Sequence, residues 1–456
     1  MRADLVVKNG LVVTPAGARS LSILVGDGRI TGLVETGAEH AADDEIDARG
    51  LIVFPGAIEP HCHFWDPGPT EREDWGTGTR SAAAGGITTV IEMPLSDPPT
   101  VDAAAIELKQ ERAAANAYVD YALWGGIVPA TMEDLPGRIA ELRERGAVAY
   151  KAFMCWSARE FPPVDDGILL AAMDELAKHD FLFGLHAEND AIILSRQQAA
   201  INGGRTAPQD YVDSRPEIAE IEAVQRAALF AEATGARVYI VHMSTAVAVD
   251  EVLAARRRGV RIHAETAPQY LTLDRSALDQ LGPYAKCSPP LRASETVEAL
   301  WRHVLDGAID TIGSDHAPFT RAEKDAGLDD IWGAPNGLTG IQTMIPLVFS
   351  EGVRRRGMSL ERFAQLFAGN AARIFGLADR KGQIAVGADA DLLLLDPEST
   401  WTIDDESLEY KNRWSPYYGI PVTGKVTRTI VRGRTIFADG AIVGEQGYGK
   451  QLYPST

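Results

Sequence analysis

In Gly56-Ala57-Ile58-Glu59-Pro60-His61-Cys62-His63-Phe64, two histidines stand two residues apart behind the apolar run Leu51-Ile52-Val53-Phe54. On an extended segment, side chains alternate with period two, so both imidazoles point the same way. Two nitrogen ligands at one strand end are half of a metal site. Taken alone, the pair fits a structural or exposed role as well as a ligand role. The position of the other histidines decides between them.

The chain has nine histidines. His186 ends Phe181-Leu182-Phe183-Gly184-Leu185, and His242 ends Val238-Tyr239-Ile240-Val241. Asp315 follows Thr311-Ile312-Gly313-Ser314, and Lys151 follows Ala147-Val148-Ala149-Tyr150. Short β-rich apolar runs of this kind read as fully buried parallel strands. A lysine inside one is costly unless it is paired or its state changes. Eight such strands are predicted, at 57–61, 87–93, 121–127, 148–154, 181–186, 238–242, 261–266 and 311–315. Helical segments are predicted between them at 166–179, 218–234 and 247–258, the last closed by basic residues and Gly259. Regular strand–helix alternation predicts an α/β fold, a closed (β/α)8 barrel with its chemistry at the C-terminal strand ends. His61, His63, Lys151, His186, His242 and Asp315 all fall at those ends, which disfavours six unrelated structural roles.

The ends of the chain read differently. Strands are predicted at 5–7, 11–14, 22–25 and 29–34, broken at Asn9-Gly10 and Gly26-Asp27-Gly28. More follow at 391–395, 426–431 and 434–437, with Arg432-Gly433 as a turn. Together they predict a small β-sandwich built from both ends, 1–55 plus 377–456, flanking a catalytic barrel at 56–376. The 456 residues carry a net charge of −20, which argues against a nucleic-acid partner. Three cysteines suit a reducing compartment better than a disulfide framework. The start, Met1-Arg2-Ala3-Asp4-Leu5, lacks a signal-peptide core, and no apolar run reaches membrane-spanning length. The expectation is a cytoplasmic protein with no membrane partner.

The motifs, in order, resemble the metal-dependent amidohydrolase superfamily in its cyclic-amidohydrolase branch of hydantoinases, dihydropyrimidinases, allantoinases and dihydroorotases. The resemblance runs nearly end to end. It is carried by His61-Cys62-His63, Tyr150-Lys151-Ala152-Phe153-Met154, Leu185-His186-Ala187-Glu188-Asn189, Val241-His242-Met243-Ser244, Lys286-Cys287-Ser288-Pro289-Pro290-Leu291-Arg292, Gly313-Ser314-Asp315-His316 and Lys381-Gly382-Gln383-Ile384-Ala385-Val386-Gly387-Ala388-Asp389-Ala390-Asp391-Leu392. It implies two divalent ions, with zinc expected and manganese or cobalt also suited to oxygen and imidazole ligands. His61, His63 and Asp315 would hold one ion and His186 with His242 the other. Lys151, carboxylated on its amine, would bridge them. By the same resemblance the ions would supply an activated water, and Asp315 would act as general base and then acid toward the leaving ring nitrogen. Ser288 and Asn336 match positions whose backbone groups hold the edge of a small neutral cyclic ureide, although turn chemistry alone also explains both. A homotetramer is what the resemblance implies for assembly.

Departures from the family pattern bear on the ring. Glu59 stands where an Asp is usual before the first histidine. Trp156 stands where D-type hydantoinases and dihydropyrimidinases place an oxyanion-contacting Tyr. Phe64-Trp65-Asp66-Pro67-Gly68 lacks the arginine of dihydroorotases. Allantoinases are resembled at Trp65-Asp66-Pro67-Gly68-Pro69-Thr70, Met93-Pro94-Leu95, Ser214-Arg215-Pro216 and Leu408-Glu409-Tyr410. L-selective hydantoinases are resembled at Ala267-Pro268-Gln269-Tyr270-Leu271, Gly282-Pro283-Tyr284, Pro335-Asn336-Gly337 and Gly419-Ile420-Pro421-Val422-Thr423-Gly424. Gln269 and Pro335-Asn336 favour a hydantoinase acting on 5-substituted hydantoins. Allantoinase is the alternative, with dihydropyrimidinase behind it. Trp65, Trp156, Phe161 and Phe319 are candidates for an aromatic pocket around a 5-substituent. A non-catalytic scaffold homologue is disfavoured because all six ligand positions are filled.

Overall fold

The computed structural model describes residues 3–37 and 41–455. Met1, Arg2, residues 38–40 and Thr456, which fall in the two end segments, lie outside the described residues. Among the described residues, eight parallel strands follow one another in chain order: β1 (Ala57–Cys62), β2 (Ile87–Glu92), β3 (Asp120–Gly126), β4 (Ala147–Phe153), β5 (Leu182–His186), β6 (Arg237–Ile240), β7 (Ile262–Thr266) and β8 (Thr311–Ile312). The sheet closes where β8 runs on to β1, with a Cys62–His316 bridge and the His63 N–H bonded to the His316 carbonyl at 2.8 Å. Every residue of β2 and β3 is buried, as strands covered on both faces must be.

Helices cover the outside, and several are started by side-chain caps. Asp74, Asp102, Asp165 and Asn189 each accept a first-turn N–H, which satisfies a donor the helix itself cannot. The helices expected at 166–179, 218–234 and 247–258 occupy Asp166–Ala177, Glu217–Thr234 and Ala246–Arg257. Trp124, Tyr239 and Phe375 fill the barrel interior, with ring centroids 5.2–6.1 Å apart. The barrel is therefore a packed core that opens only at its C-terminal rim. Strand β8 is shorter than expected. The Ser314 N–H turns to the Glu59 carboxylate (3.0 and 3.1 Å), and Asp315 leaves the strand with φ 47°.

Both chain ends build a second, mixed sheet of nine strands among the described residues. Its inward faces enclose Leu5, Val7, Val12, Ile23, Leu392, Leu394 and Ile430. Two features differ from the sequence reading. Asn9-Gly10 is not a hairpin turn but a bulge inside one strand, Ala3–Thr14. Asn9 absorbs the irregularity with φ 65°, and a β-carbon on Gly10 would lie 2.6 Å from Val53 Cγ2. The strand Ala42–Asp47 was not predicted. Its Asp43-Asp44-Glu45 core hides the pattern, and pairing with Ala3–Thr14 through the backbone makes the strand. A buried ion cluster fastens this sheet to the barrel. Lys381 Nζ lies 2.6 Å from Asp120 Oδ2 on β3 and 2.6 Å from Asp391 Oδ2, and Arg432 also pairs with Asp120.

Candidate metal centre and active site

The C-terminal rim brings the six candidate ligands together. His61 Nε2 and His63 Nε2 lie 3.2 and 3.5 Å from Asp315 Oδ1. The His186 and His242 rings are 4.5 Å apart, and His242 is 5.3 Å from His61. Lys151 is fully buried beneath them. His242 and Asp315 take left-handed backbone conformations, φ 39° and 47°. Such conformations cost about 1–3 kcal/mol each in non-glycine residues and mark sites whose surroundings hold them in place.

Two carboxylates that the sequence did not single out set the histidine tautomers. Glu265, at the end of β7, lies 2.7 Å from His61 Nδ1, so the ring proton sits there and the Nε2 lone pair faces Asp315. A lone pair facing a carboxylate oxygen at 3.2 Å is repulsive unless a cation lies between them. Glu265 also accepts the His242 N–H (2.9 Å) and the Tyr239 hydroxyl (2.7 Å). Glu188 holds His186 Nε2 at 2.8 Å and is itself paired with Arg215, which leaves His186 Nδ1 for a ligand role. The signal for Glu265 was a carboxylate inside a buried strand, and for Glu188 its place in His186-Ala187-Glu188. Glu59 does not touch an imidazole. It accepts the backbone N–H of His61 (2.7 Å) and of Ser314, and so ties the first strand to the last.

Among the six candidate ligands, three buried atoms have no protein partner: Lys151 Nζ, His63 Nδ1 and His242 Nδ1. Burial pulls the Lys151 amine down to about 7, against the opposing pull of Glu265 and Asp315. Burial acts to raise the Asp315 carboxyl, yet His61, His63 and Lys151 together hold it below the ordinary carboxylate value. Imidazoles converging on one ionised carboxylate, with an unpartnered amine behind them, are a donor set suited to divalent metal. The His61–His63–Asp315 ligand atoms all lie within 4.8 Å of one another.

A cavity of about 700 Å³ opens over this centre. Trp156, Ser288 and Asn336 line it, so every expected substrate contact reaches the same space. Trp156 is half-exposed, and its backbone N–H donates to Asp190 Oδ1 at 2.8 Å. Asn336 Oδ1 is buried without a partner. Ser288 Oγ is held 2.7 Å from the Tyr211 hydroxyl. Tyr211, Arg215 and Lys286 also line the cavity, and the sequence alone did not mark them as site residues. Trp65 and Phe319 stand on the wall as expected. Phe161 is not on this wall but packs with Leu95 and Phe153 and lines a smaller space alongside it. Gln269 is buried off the wall.

The profile of the amidohydrolase family matches residues 52–436. The chain belongs to that family. Curated relatives include an allantoinase of Rubrobacter xylanophilus, 44% identical over 96% of this chain and 95% of that protein. An allantoinase of Solibacter usitatus is 42% identical over 100% and 98%. Among solved structures, an L-hydantoinase (dihydropyrimidinase) of Arthrobacter aurescens superposes with a TM-score of 0.95, at 35% identity over 98% of this chain and 99% of that one. A D-hydantoinase (dihydropyrimidinase) of Thermus sp. superposes with a TM-score of 0.92, at 33% identity over 98% of both chains. This amidohydrolase is thus a cyclic amide hydrolase with a barrel fold and candidate metal ligands at its rim.

Proposed function

We propose that the protein opens the five-membered ring of allantoin to give allantoate. The buried, unpartnered Lys151 amine among four imidazoles and Asp315 carries the hydrolytic part of this reading. In it, Lys151 bears a carboxylate added from carbon dioxide, and His61, His63, His186, His242 and Asp315 complete the ligand set for two zinc ions. When bound, the ions polarise a ring carbonyl and make a water acidic enough to serve as nucleophile near neutral pH. Asp315, at the cavity floor, takes the proton of the attacking water and passes it to the departing ring nitrogen, since its carboxyl stays ionised among His61 and His63. Asn336 Oδ1 accepts a ring N–H, and Ser288 holds the opposite edge of the ureide. The Trp156 indole closes the mouth in place of a phenol.

Two observations support allantoin as the ring. Full-length relatives at 42–44% identity are allantoinases. Next to the main cavity, a space of about 410 Å³ shares Trp65, Arg72, Leu95, Ala158 and Glu160 with it and adds Pro69, Ser96, Asp97 and Phe161. A ureido substituent has a carbonyl for Arg72 and N–H groups for Asp97 or Glu160, whereas an alkyl or aryl substituent has neither. Gln269, which pointed toward hydantoin in the sequence, does not line the cavity. The second reading, 5-substituted hydantoins, is favoured by the aromatic wall of Trp65, Phe153 and Phe319.

The same reading divides the chain into a catalytic unit at 56–376 and a flanking unit at 1–55 plus 377–456, and makes it a cytoplasmic homotetramer. Among the described residues no helix is long and apolar enough to cross a membrane. The test is kcat/KM for allantoin, hydantoin, D- and L-5-substituted hydantoins and dihydrouracil. Allantoin should lead by at least about tenfold, the scale of one well-made polar contact. A lead for a 5-aryl hydantoin transfers the assignment to the second reading, and no turnover of any ring rejects both.

A further inference from the structure

We propose that Lys286 and Lys324 are positioning residues, a pair of buried lysine amines that clamp the 331–337 loop by its carbonyls and so hold Asn336 against the ureide ring. This rests on the substrate class proposed above and adds the device that shapes its ring-binding edge. Lys286 is 4% exposed and Lys324 fully buried. Their hydrogen bonds run to carbonyls rather than to carboxylates. Lys286 Nζ donates to Ile331 O (2.7 Å) and Ala334 O (2.5 Å). Lys324 Nζ donates to Pro335 O (3.0 Å) and to Lys286 O (3.2 Å). The Gly337 N–H returns to Lys286 O at 3.0 Å. The carbonyls on both sides of the Ala334-Pro335 step are therefore pinned to one pair of lysine amines.

Burying two ammonium groups side by side is costly unless their hydrogen-bonding capacity is met. Burial draws both amines down to about 7. A fold that only needed to fill this space would use apolar side chains. What the arrangement delivers is a rigid Pro335-Asn336-Gly337 corner on the cavity wall, with the Asn336 Oδ1 acceptor buried and unpartnered. Lys286 also reaches the facing side of the ureide edge. Its Nζ lies 4.8 Å from the centre of the Tyr211 ring, whose hydroxyl bonds to Cys287 O (2.9 Å) and Ser288 Oγ (2.7 Å). One lysine thus braces both Asn336 and Ser288. The Lys324 ammonium lies 5.5 Å from the Trp414 ring, so it is fixed from behind as well.

The test uses full-length metal-loaded enzyme with Lys286→Met and Lys324→Met, which keep the aliphatic stem and remove the donor. KM should rise about tenfold or more, with kcat changed much less, because a lost donor frees the loop without touching the reacting atoms. The rise should be the same for allantoin and for unsubstituted hydantoin, since the clamp serves the ring and not the 5-substituent. Metal content should match wild type, and Lys324→Arg, which keeps a donor, should recover most of the KM loss. Unchanged KM in both folded Met variants overturns the clamp, as does a loss that falls on kcat and metal content together. Wild-type enzyme that opens neither ring overturns the functional proposal instead. If the Met variants do not fold, Lys286→Gln, whose shorter side chain cannot reach both the Ile331 and Ala334 carbonyls, carries the same KM comparison.

Discussion

Glu265→Gln isolates what a single carboxylate does for the metal centre. In wild type, Oε1 meets His61 Nδ1 (2.7 Å) and the His242 N–H (2.9 Å), while Oε2 meets the Tyr239 hydroxyl (2.7 Å). A glutamine amide can keep its oxygen toward the two histidines. Its NH2 then faces Tyr239, whose hydroxyl can rotate to donate to Thr311 Oγ1, 2.6 Å away. All bonds survive in count, and only the charge is lost. A hydrogen bond to a charged group is worth ~1.5–3 kcal/mol and a neutral one ~0.5–1.5, so the deficit is about 1–1.5 kcal/mol. That predicts about tenfold weaker binding of the ion that His61 ligates, at the low end of the roughly 10–100-fold seen when partners of ligating histidines are changed. Competition with a chromophoric chelator measures it, with circular dichroism confirming the fold. Affinity within about threefold of wild type in a folded variant would refute the claim that Glu265 sets the His61 donor.

Lys151→Ala should lose metal and turnover together, and a short carboxylic acid in the buffer should restore part of both; full activity without the acid contradicts a carboxylated lysine. Asp315→Asn should lower kcat by roughly 10²–10⁴ while at least one ion stays bound, as metal analysis of the purified variant would show. Lys381→Met removes the cation shared by Asp120, Asp389 and Asp391 in the seam between barrel and sheet, leaving Asp120 to Arg432, Asp389 to Arg380 and Asp391 without a cation. It should cost about 3–5 kcal/mol in a urea unfolding series, and a loss below about 1 kcal/mol removes that cluster as the fastening between the two parts.

Much of this architecture was legible because barrel strands announce themselves. Each is a short apolar run, and candidate ligands close several of them, so His61, His186, His242 and Asp315 point to a common rim from their sequence positions alone. What stayed hidden was set by partners distant in sequence. Glu265 looks like any strand carboxylate until His61, 204 residues away, is folded against it. The strand Ala42–Asp47 has only Ile46 buried, so pairing and not pattern defines it. Asn9-Gly10 carries the chemistry of a turn, yet the strand runs through it because its neighbours continue to pair on both sides. The lysines at 286 and 324 read as ordinary cations, and only the folded 331–337 loop reveals what they hold.

The central claim is a metal-dependent hydrolase centre on the barrel rim, and counting divalent ions per chain in protein purified without chelators tests it most directly. About two ions per folded chain are expected, with ring opening lost on chelation and regained on adding zinc. Fewer than about one ion per chain, or turnover indifferent to chelation, would contradict it.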